Sequence, residues 1–334
     1  MKAISKLMQV AAILAIACGA SDATQAQTVL KASHQFPGGK GDIRDEMVQM
    51  IARDVAAANV GLEIQVYPGS SLYKPTEQWN AVTRGLLDMT SFPLDYASGR
   101  HPIFSATLMP GLVGNFDRAL RLNDSEFMAD IKKVIEESGA IVIADAWLSG
   151  AFASKKGCIT SPDTLKGQVI RAAGPAFEQM LAAAGASISS MPSSEIYSGM
   201  QTGVLDAANT SSASFVSYRL FEHAKCLTAP GENALWFMYE PVLISKKVFD
   251  GLTPEQQKAI LAAGEKAEAY FNTEVRKGDQ LMIDTYKKAG VEVVEMSSSD
   301  YDAWLELAKT SSYKNFAEKV PGGDKLIEKA LAVE

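Results

Sequence analysis

Strand-like and helix-like segments alternate along this chain in two successive rounds, and that order restricts the fold more than any other feature. Thr28–Ser33 (TVLKAS) opens with β-branched residues, as a strand does. Asp42–Ala58 carries Ile43, Met47, Met50, Ile51 and Val55 at helical spacing. Leu62–Tyr67 (LEIQVY) alternates as a strand, and Pro68-Gly69 stops it. A helix over Thr76–Leu86, a strand over Leu87–Phe92, a helix over Asp117–Ser138 and a buried strand over Ala140–Trp147 complete the first round. The second has strands at Gln168–Ala172, Ser187–Met191 and Val204–Ala208, with helices at Pro175–Ala184, Ser193–Gln201 and Ser214–His223. Cys226–Ala229 and Trp236–Ile244 then return as strands. Strand–helix–strand order demands parallel or mixed sheets covered by helices. At 334 residues there is enough chain for about two such units, so the expectation is a two-lobed α/β protein.

Thr253–Lys288 reads as one very long helix, with Thr253 as its cap and Pro254 at its first position. At ~1.5 Å per residue it would run roughly 50 Å, more than one small domain needs, so it is expected to lie across both lobes. Val291–Glu295 and two terminal helices close the chain. Lobe I is assigned to 27–148 with returning segments near 230–334, lobe II to 149–229, and the long helix to 253–288. Proteins built this way hold a ligand between the lobes and close on it by a hinge.

Met1–Ala26 has the anatomy of a cleavable export signal. Lys2 and Lys6 form its basic start, and Met8–Ala17 is an apolar stretch too short to span a bilayer. Thr24 and Ala26 are the small residues before cleavage after Ala26, which gives a mature protein expected to be a soluble periplasmic monomer. A lipoprotein signal ending at Cys18 is the alternative, though Ala15-Ile16-Ala17 is a poor match to the acylation signal. Loss of this segment leaves Cys158 and Cys226, an even pair in an oxidising compartment, and a disulfide is the natural reading over two free thiols. No later segment is apolar for long enough to cross a membrane. The net charge of −7 without a basic tract argues against nucleic acid as a partner. The histidines stand apart at His34, His101 and His223, and no Walker, GxGxxG, GxSxG or HExxH pattern occurs, so no metal, no cofactor and no enzymatic activity are expected.

Leu165–Ala208 is the informative segment: LKGQVIRAAGPAFEQMLAAAGASISSMPSSEIYSGMQTGVLDAA. Its Leu165-Lys166-Gly167 turn, Arg171, Gly185-Ala186, Met191-Pro192, Ser194-Glu195-Ile196-Tyr197 and Gln201–Asp206 resemble, in order, the solute-binding subunits of tripartite ATP-independent periplasmic (TRAP) transporters of the DctP-like family. The resemblance extends through Tyr67–Tyr73 (YPGSSLY), Gly85–Met89 (GLLDM) and the helix after Thr253. It implies a two-lobed fold with hinge strands, an organic acid anion as ligand, and membrane permease subunits as partners. A sulfonate would suit the same site. A sensing receptor or an enzyme on the same scaffold is the alternative.

The resemblance implies that Arg171 grips the ligand's carboxylate, which its planar fork does through two parallel charge-assisted hydrogen bonds. Taken alone, an Arg at a strand end reads more readily as a surface ion pair. Two departures bear on the ligand. Many members carry a second Arg after a Gly upstream, whereas Gly150 is followed here by Ala151 and Phe152, which suggests an apolar or aromatic wall. Where many members read Gly-Gln-Glu-Asn-Pro, this chain has Ala207-Ala208-Asn209-Thr210-Ser211. The keto-acid branch places a metal-bound Glu there, and its absence weakens a metal-bridged ligand, with Glu240 the remaining carboxylate. Asn209 and Thr210 are candidates for hydrogen bonds to the ligand, Asn209 or Ser211 alternatively for a helix cap. His34, Tyr73, Ser193, Trp236 and Phe237 complete the candidate contacts, and together these residues suggest a monocarboxylate with an apolar or aromatic body.

Overall fold

The structure is a computed structural model that describes residues 27–39 and 41–334. The expected export signal therefore lies outside the described residues. Two mixed sheets organise the chain. The first contains β1 (Thr28–Ser33), β2 (Leu62–Tyr67), β3 (Met89–Ser91), β4 (Ala140–Ala144) and, from far along the chain, β11 (Val242–Ser245), in the order β2-β1-β3-β11-β4. β1 runs parallel to β2 and β3, and β11 is antiparallel to β3 and β4. The second sheet contains β5 (Trp147–Ser154), β6 (Val169–Ala172), β7 (Ser187–Ser190), β8 (Ala207–Ser211), β9 (Cys226–Ala229) and β12 (Glu292–Glu295), in the order β12-β9-β5-β8-β6-β7. The short β10 (Phe237–Tyr239) pairs with the start of β5.

Helices α1 (Ile43–Ala57), α2 (Pro75–Thr83), α3 (Phe116–Asn123) and α4 (Glu126–Glu137) accompany the first sheet. With the second go α5 (Pro162–Leu165), α6 (Pro175–Ala183), α7 (Ile196–Thr202) and α8 (Ser212–Ser217). After α9 (Lys246–Asp250) comes the long helix, as α10 (Pro254–Glu274), a 3₁₀ turn at Val275–Lys277, and α11 (Gly278–Lys288). Its start is fixed by a capping box: Gln256 N–H donates to Thr253 Oγ1, and Thr253 N–H donates to Gln256 Oε1 at 3.1 Å. α10 packs on α1 and β4 of the first lobe, and α11 on α8, β9 and β12 of the second. The helix thus spans both lobes as expected. α12 (Ser298–Ala308) packs on α5 and α6; a π-helical turn at Lys309–Tyr313 leads to α13 (Lys314–Lys319), and α14 (Gly323–Leu331) returns to α4.

Two expected strands are each divided between the lobes. Ala140–Trp147 breaks at Asp145-Ala146, where β4 leaves one sheet and β5 enters the other. A polar knot holds the break: Lys132 Nζ donates to Asp145 Oδ2 at 2.7 Å, Tyr239 donates to Oδ1, and Asp145 N–H donates to Glu268 on α10 at 2.7 Å. Trp236–Ile244 breaks at Glu240-Pro241, where proline offers no N–H to a ladder. The expected helix over Asp117–Ser138 is two helices, because Ser125 accepts the Met128 N–H and caps α4. Four crossings therefore join the lobes: two strand breaks, the 3₁₀ turn and the π turn. Irregular helical turns of this kind are common at hinges and functional sites. Cys158 and Cys226 form a disulfide that ties the loop after β5 to β9.

Candidate functional site

In open α/β sheets, ligands bind beyond the carboxyl ends of the strands. Here those ends carry Ser33-His34-Gln35 after β1, Ser91 at the end of β3, Arg171 on β6 and Asn209–Ser211 on β8. Arg171 is buried in lobe II, opposite Ser189 of β7 and Ala208 of β8. Its Nε donates to Met191 O at 2.9 Å, Nη1 to Asn209 O at 2.9 Å, and Nη2 to the Tyr96 hydroxyl oxygen at 3.1 Å. Those bonds engage three of the five guanidinium N–H groups. One N–H on each terminal nitrogen is left over, and among the described residues no carboxylate forms an ion pair with it.

Arg44, at the start of α1, is equally buried and is the opposite case. Asp42 accepts from its Nε at 2.9 Å and its Nη2 at 2.7 Å, Glu240 accepts from Nη1 at 3.3 Å, and Phe36 lies under it at 3.8 Å. Nη1 also reaches the Ser211 and Ser214 hydroxyls of lobe II, at 3.2 and 2.9 Å. Burial is the largest influence on Asp42 and opposes its ionisation, but the Arg44 charge and the hydrogen bonds from Arg44 and Ser217 together outweigh it and hold that carboxyl below its usual range. For Glu240 the balance goes the other way: burial pushes its carboxyl up, and Arg44 only partly offsets this. Arg44 is thus a closed structural network, whereas Arg171 keeps donors to spare.

Tyr96 joins the lobes around Arg171. Its hydroxyl oxygen also accepts the Ser193 backbone N–H of lobe II at 2.9 Å and the Gln35 amide of lobe I at 3.3 Å. Tyr218 of lobe II donates to Gln35 O at 2.9 Å. Several buried polar atoms at the strand ends have no partner: Ser33 Oγ, His34 Nδ1, Gln35 Oε1, Ser91 Oγ, both atoms of the Asn209 amide, and Trp236 Nε1. His34 Nε2 lies 3.2 Å from Asp45 Oδ1, which leaves Nδ1 as its orphan. Leaving such atoms unsatisfied costs about 1–3 kcal/mol each.

The candidates fall into two groups. Arg171, Asn209 and Ser193 share one hydrogen-bonded cluster, and His34 adjoins it through Gln35. Thr210 is buried on β8, on the Arg171 side of the sheet by strand alternation, while the Asn209 amide leaves on the other face beside Phe152. Ser211, not Asn209, caps α8 by accepting the Ser214 N–H. Trp236 lies over β5 where Gly150 leaves room; a Cβ there would come within 2.5 Å of its ring and 2.1 Å of Thr210 O. Three aromatics face elsewhere. Phe152 stacks on Trp304 at 5.6 Å, in the lobe core, because strand alternation turns it toward α12. Phe237 packs edge-to-face on Phe116 at 5.0 Å in the first lobe's core. Tyr73 donates to Leu86 O at 3.1 Å on a partly exposed surface. Arg44 was not among the candidates, whereas Gln35 and Tyr96 stand in His34-Gln35-Phe36 and Pro93-Leu94-Asp95-Tyr96, the runs after the first and third strands that read as softer pocket candidates.

A two-lobed α/β protein, with hinge strands, a helix spanning both lobes and polar groups at the facing strand ends, is a binding protein for a small solute. This chain belongs to the bacterial extracellular solute-binding protein family 7, whose model matches residues 41–319. A solute-binding protein of Albidiferax ferrireducens is 38% identical over 307 residues, covering 90% of this chain and 91% of the relative. The 2,3-diketo-L-gulonate-binding periplasmic protein of Escherichia coli is 28% identical and covers 80% of each chain. The crystal structure of a TRAP periplasmic solute-binding protein from Rhodoferax ferrireducens with bound malonate superposes with a TM-score of 0.88 at 38% identity, over 91% of this chain and 98% of that one. A Bordetella pertussis solute receptor binding pyroglutamic acid has the same fold, with a TM-score of 0.83 at 22% identity over 91% of this chain and 99% of that one. The chain is thus a TRAP-type transport protein and not an enzyme. Among the described residues no helix is long and apolar enough to cross a membrane.

Proposed function

We propose that this chain captures a small, polar organic acid anion in the periplasm and delivers it to the membrane permease of a TRAP transporter. The observation that carries the reading is the buried Arg171 guanidinium with two N–H groups to spare and no paired carboxylate. Burying an uncompensated charge is expensive, and a ligand carboxylate that takes both donors removes that cost. Tyr96, Ser193 and Gln35 link the Arg171 cluster to both lobes, so filling the site and closing the lobes favour one another. Closure excludes water and strengthens the ion pair.

The ligand's body is read as polar. Phe152, Phe237 and Tyr73 are engaged in the lobe cores or at the surface, while Ser33, His34, Gln35 and Ser91, at the strand ends of lobe I, have polar atoms without partners. The acids named for the relatives (malonate, pyroglutamic acid, 2,3-diketo-L-gulonate) are small and polar too. This revises the apolar or aromatic monocarboxylate suggested by sequence. Export through Met1–Ala26 and docking to permease subunits complete the proposal. The loaded, closed form is the one that docking selects, by its higher affinity for that state. Calorimetric titration of residues 27–334 with malonate, succinate and pyroglutamic acid, against benzoate and a neutral sugar, tests it. Saturable binding of one or more of the polar acids, with none for benzoate or the sugar, is expected. Binding of benzoate alone would contradict the polar-body reading, and binding of the sugar alone would contradict the anion.

A further inference from the structure

Asp95 belongs to lobe I, on the short turn that follows β3, and its carboxyl group is buried. Oδ1 accepts the Ser98 hydroxyl at 2.8 Å, and Oδ2 has no hydrogen-bond partner. What Oδ2 faces is the other lobe. A Cβ on Gly174, the N-cap of α6, would stand 1.4 Å from it. Gly174 has φ 94°, a conformation that side chains disfavour, and the missing Cβ lets the carboxyl lie directly on the start of α6. The contact therefore joins two lobes, and it exists only where they meet.

Burial is the largest influence on this carboxyl and pushes it up to about 8. The Ser98 hydroxyl favours the ionised form, Glu178 on α6 opposes it, and Arg171 on β6 favours it. The other charged groups of the same segment face away: Arg100 donates to Asn80 at 2.8 Å, and His101 packs on the Trp79 ring. A crevice of about 300 Å³, bordered by Asp95, Tyr96, Gly174, Glu178 and Met191, adjoins the group and offers a path for a proton.

We propose that closure of the lobes takes up a proton at Asp95, so that the loaded form carries a neutral acid at the interlobe contact. This rests on the reading that the lobes close on an anion. In the open form the carboxyl meets water and titrates near 4. Closure raises its pKa, so the closed form is unpenalised below about pH 4, loses stability as pH rises from there to about 8, and is level above that. Between about pH 5.5 and 7, binding should absorb close to one proton, and affinity should fall about tenfold per pH unit.

The test is calorimetric titration with malonate across that range, in buffers of low and high ionisation heat, on wild type and Asp95→Asn. Proton uptake in wild type that vanishes in the variant, with its affinity flat in pH, supports the proposal. No uptake in wild type, or uptake unchanged in the variant, overturns it. If malonate gives no heat, the choice of anion has failed and the latch is read without ligand. Spin labels on Lys133→Cys and Ser198→Cys, exposed on opposite lobes, then report the closed fraction. A fraction that rises as pH falls in wild type and is flat in Asp95→Asn supports the proposal; flat traces in both overturn it. Asp95→Ser replaces Asp95→Asn if that variant misfolds.

Discussion

Two arginines of equal burial differ in what holds them. Arg44 is neutralised by Asp42 and Glu240, while Arg171 is held by two carbonyls and a phenol. Removing Arg171 should therefore act on ligand affinity rather than on folding. Arg171→Ala is expected to cost about 2–5 kcal/mol of binding by calorimetry, and Arg171→Lys to recover little, since an ammonium lacks the fork. Asp42→Asn should do the reverse, lowering the melting temperature because it leaves a buried guanidinium with half its counter-charge. Arg171 drew notice in sequence because it stands inside an ordered family segment. Arg44 did not, because only Asp42 among its partners is near in sequence, and Ser211, Ser214 and Glu240 reach it through the fold. The same limit applies to the aromatics. Phe152 and Phe237 sit on strands near the cleft, but which face a strand residue takes depends on a register that composition does not reveal.

At the level of elements, the order of strands and helices was readable from periodicity and turn residues. The long helix with its capping box was the clearest case. Thr253→Ala removes that box and should cost about 1 kcal/mol, a drop of a few degrees in melting temperature, with ligand affinity unchanged. What periodicity could not show was where one strand pattern serves two sheets. Ala140–Trp147 and Trp236–Ile244 each read as one apolar run, and each is cut by a polar or proline residue that carries the chain between lobes. The knot at the first of these cuts has a pH consequence. Glu268 is pushed up to about 7, first by burial and then by Asp145. Its folded-state pKa is raised, so stability is undiminished below about pH 4 and is lost as pH rises through 7. Glu268→Gln should flatten thermal stability over that window. A slope unchanged in the variant would assign the pH dependence to other groups.

On the scale of the whole molecule, four crossings let two lobes move while one disulfide stiffens the second. Because Cys158–Cys226 lies within that lobe, away from Arg171, its loss should weaken folding and spare recognition. Cys158→Ser with Cys226→Ser is expected to cost about 2–5 kcal/mol in denaturant unfolding while the ligand's dissociation constant holds. If an organic anion occupies the cleft, Arg171 is the group expected to hold its charge. A thermal-shift comparison of wild type and Arg171→Ala, residues 27–334, across small organic acids tests that most directly. Ligand at ~100 times its dissociation constant should add about 2.7 kcal/mol to wild type. A clear upward shift with at least one polar carboxylate, absent in Arg171→Ala, is expected. An acid that stabilises both proteins equally would contradict it.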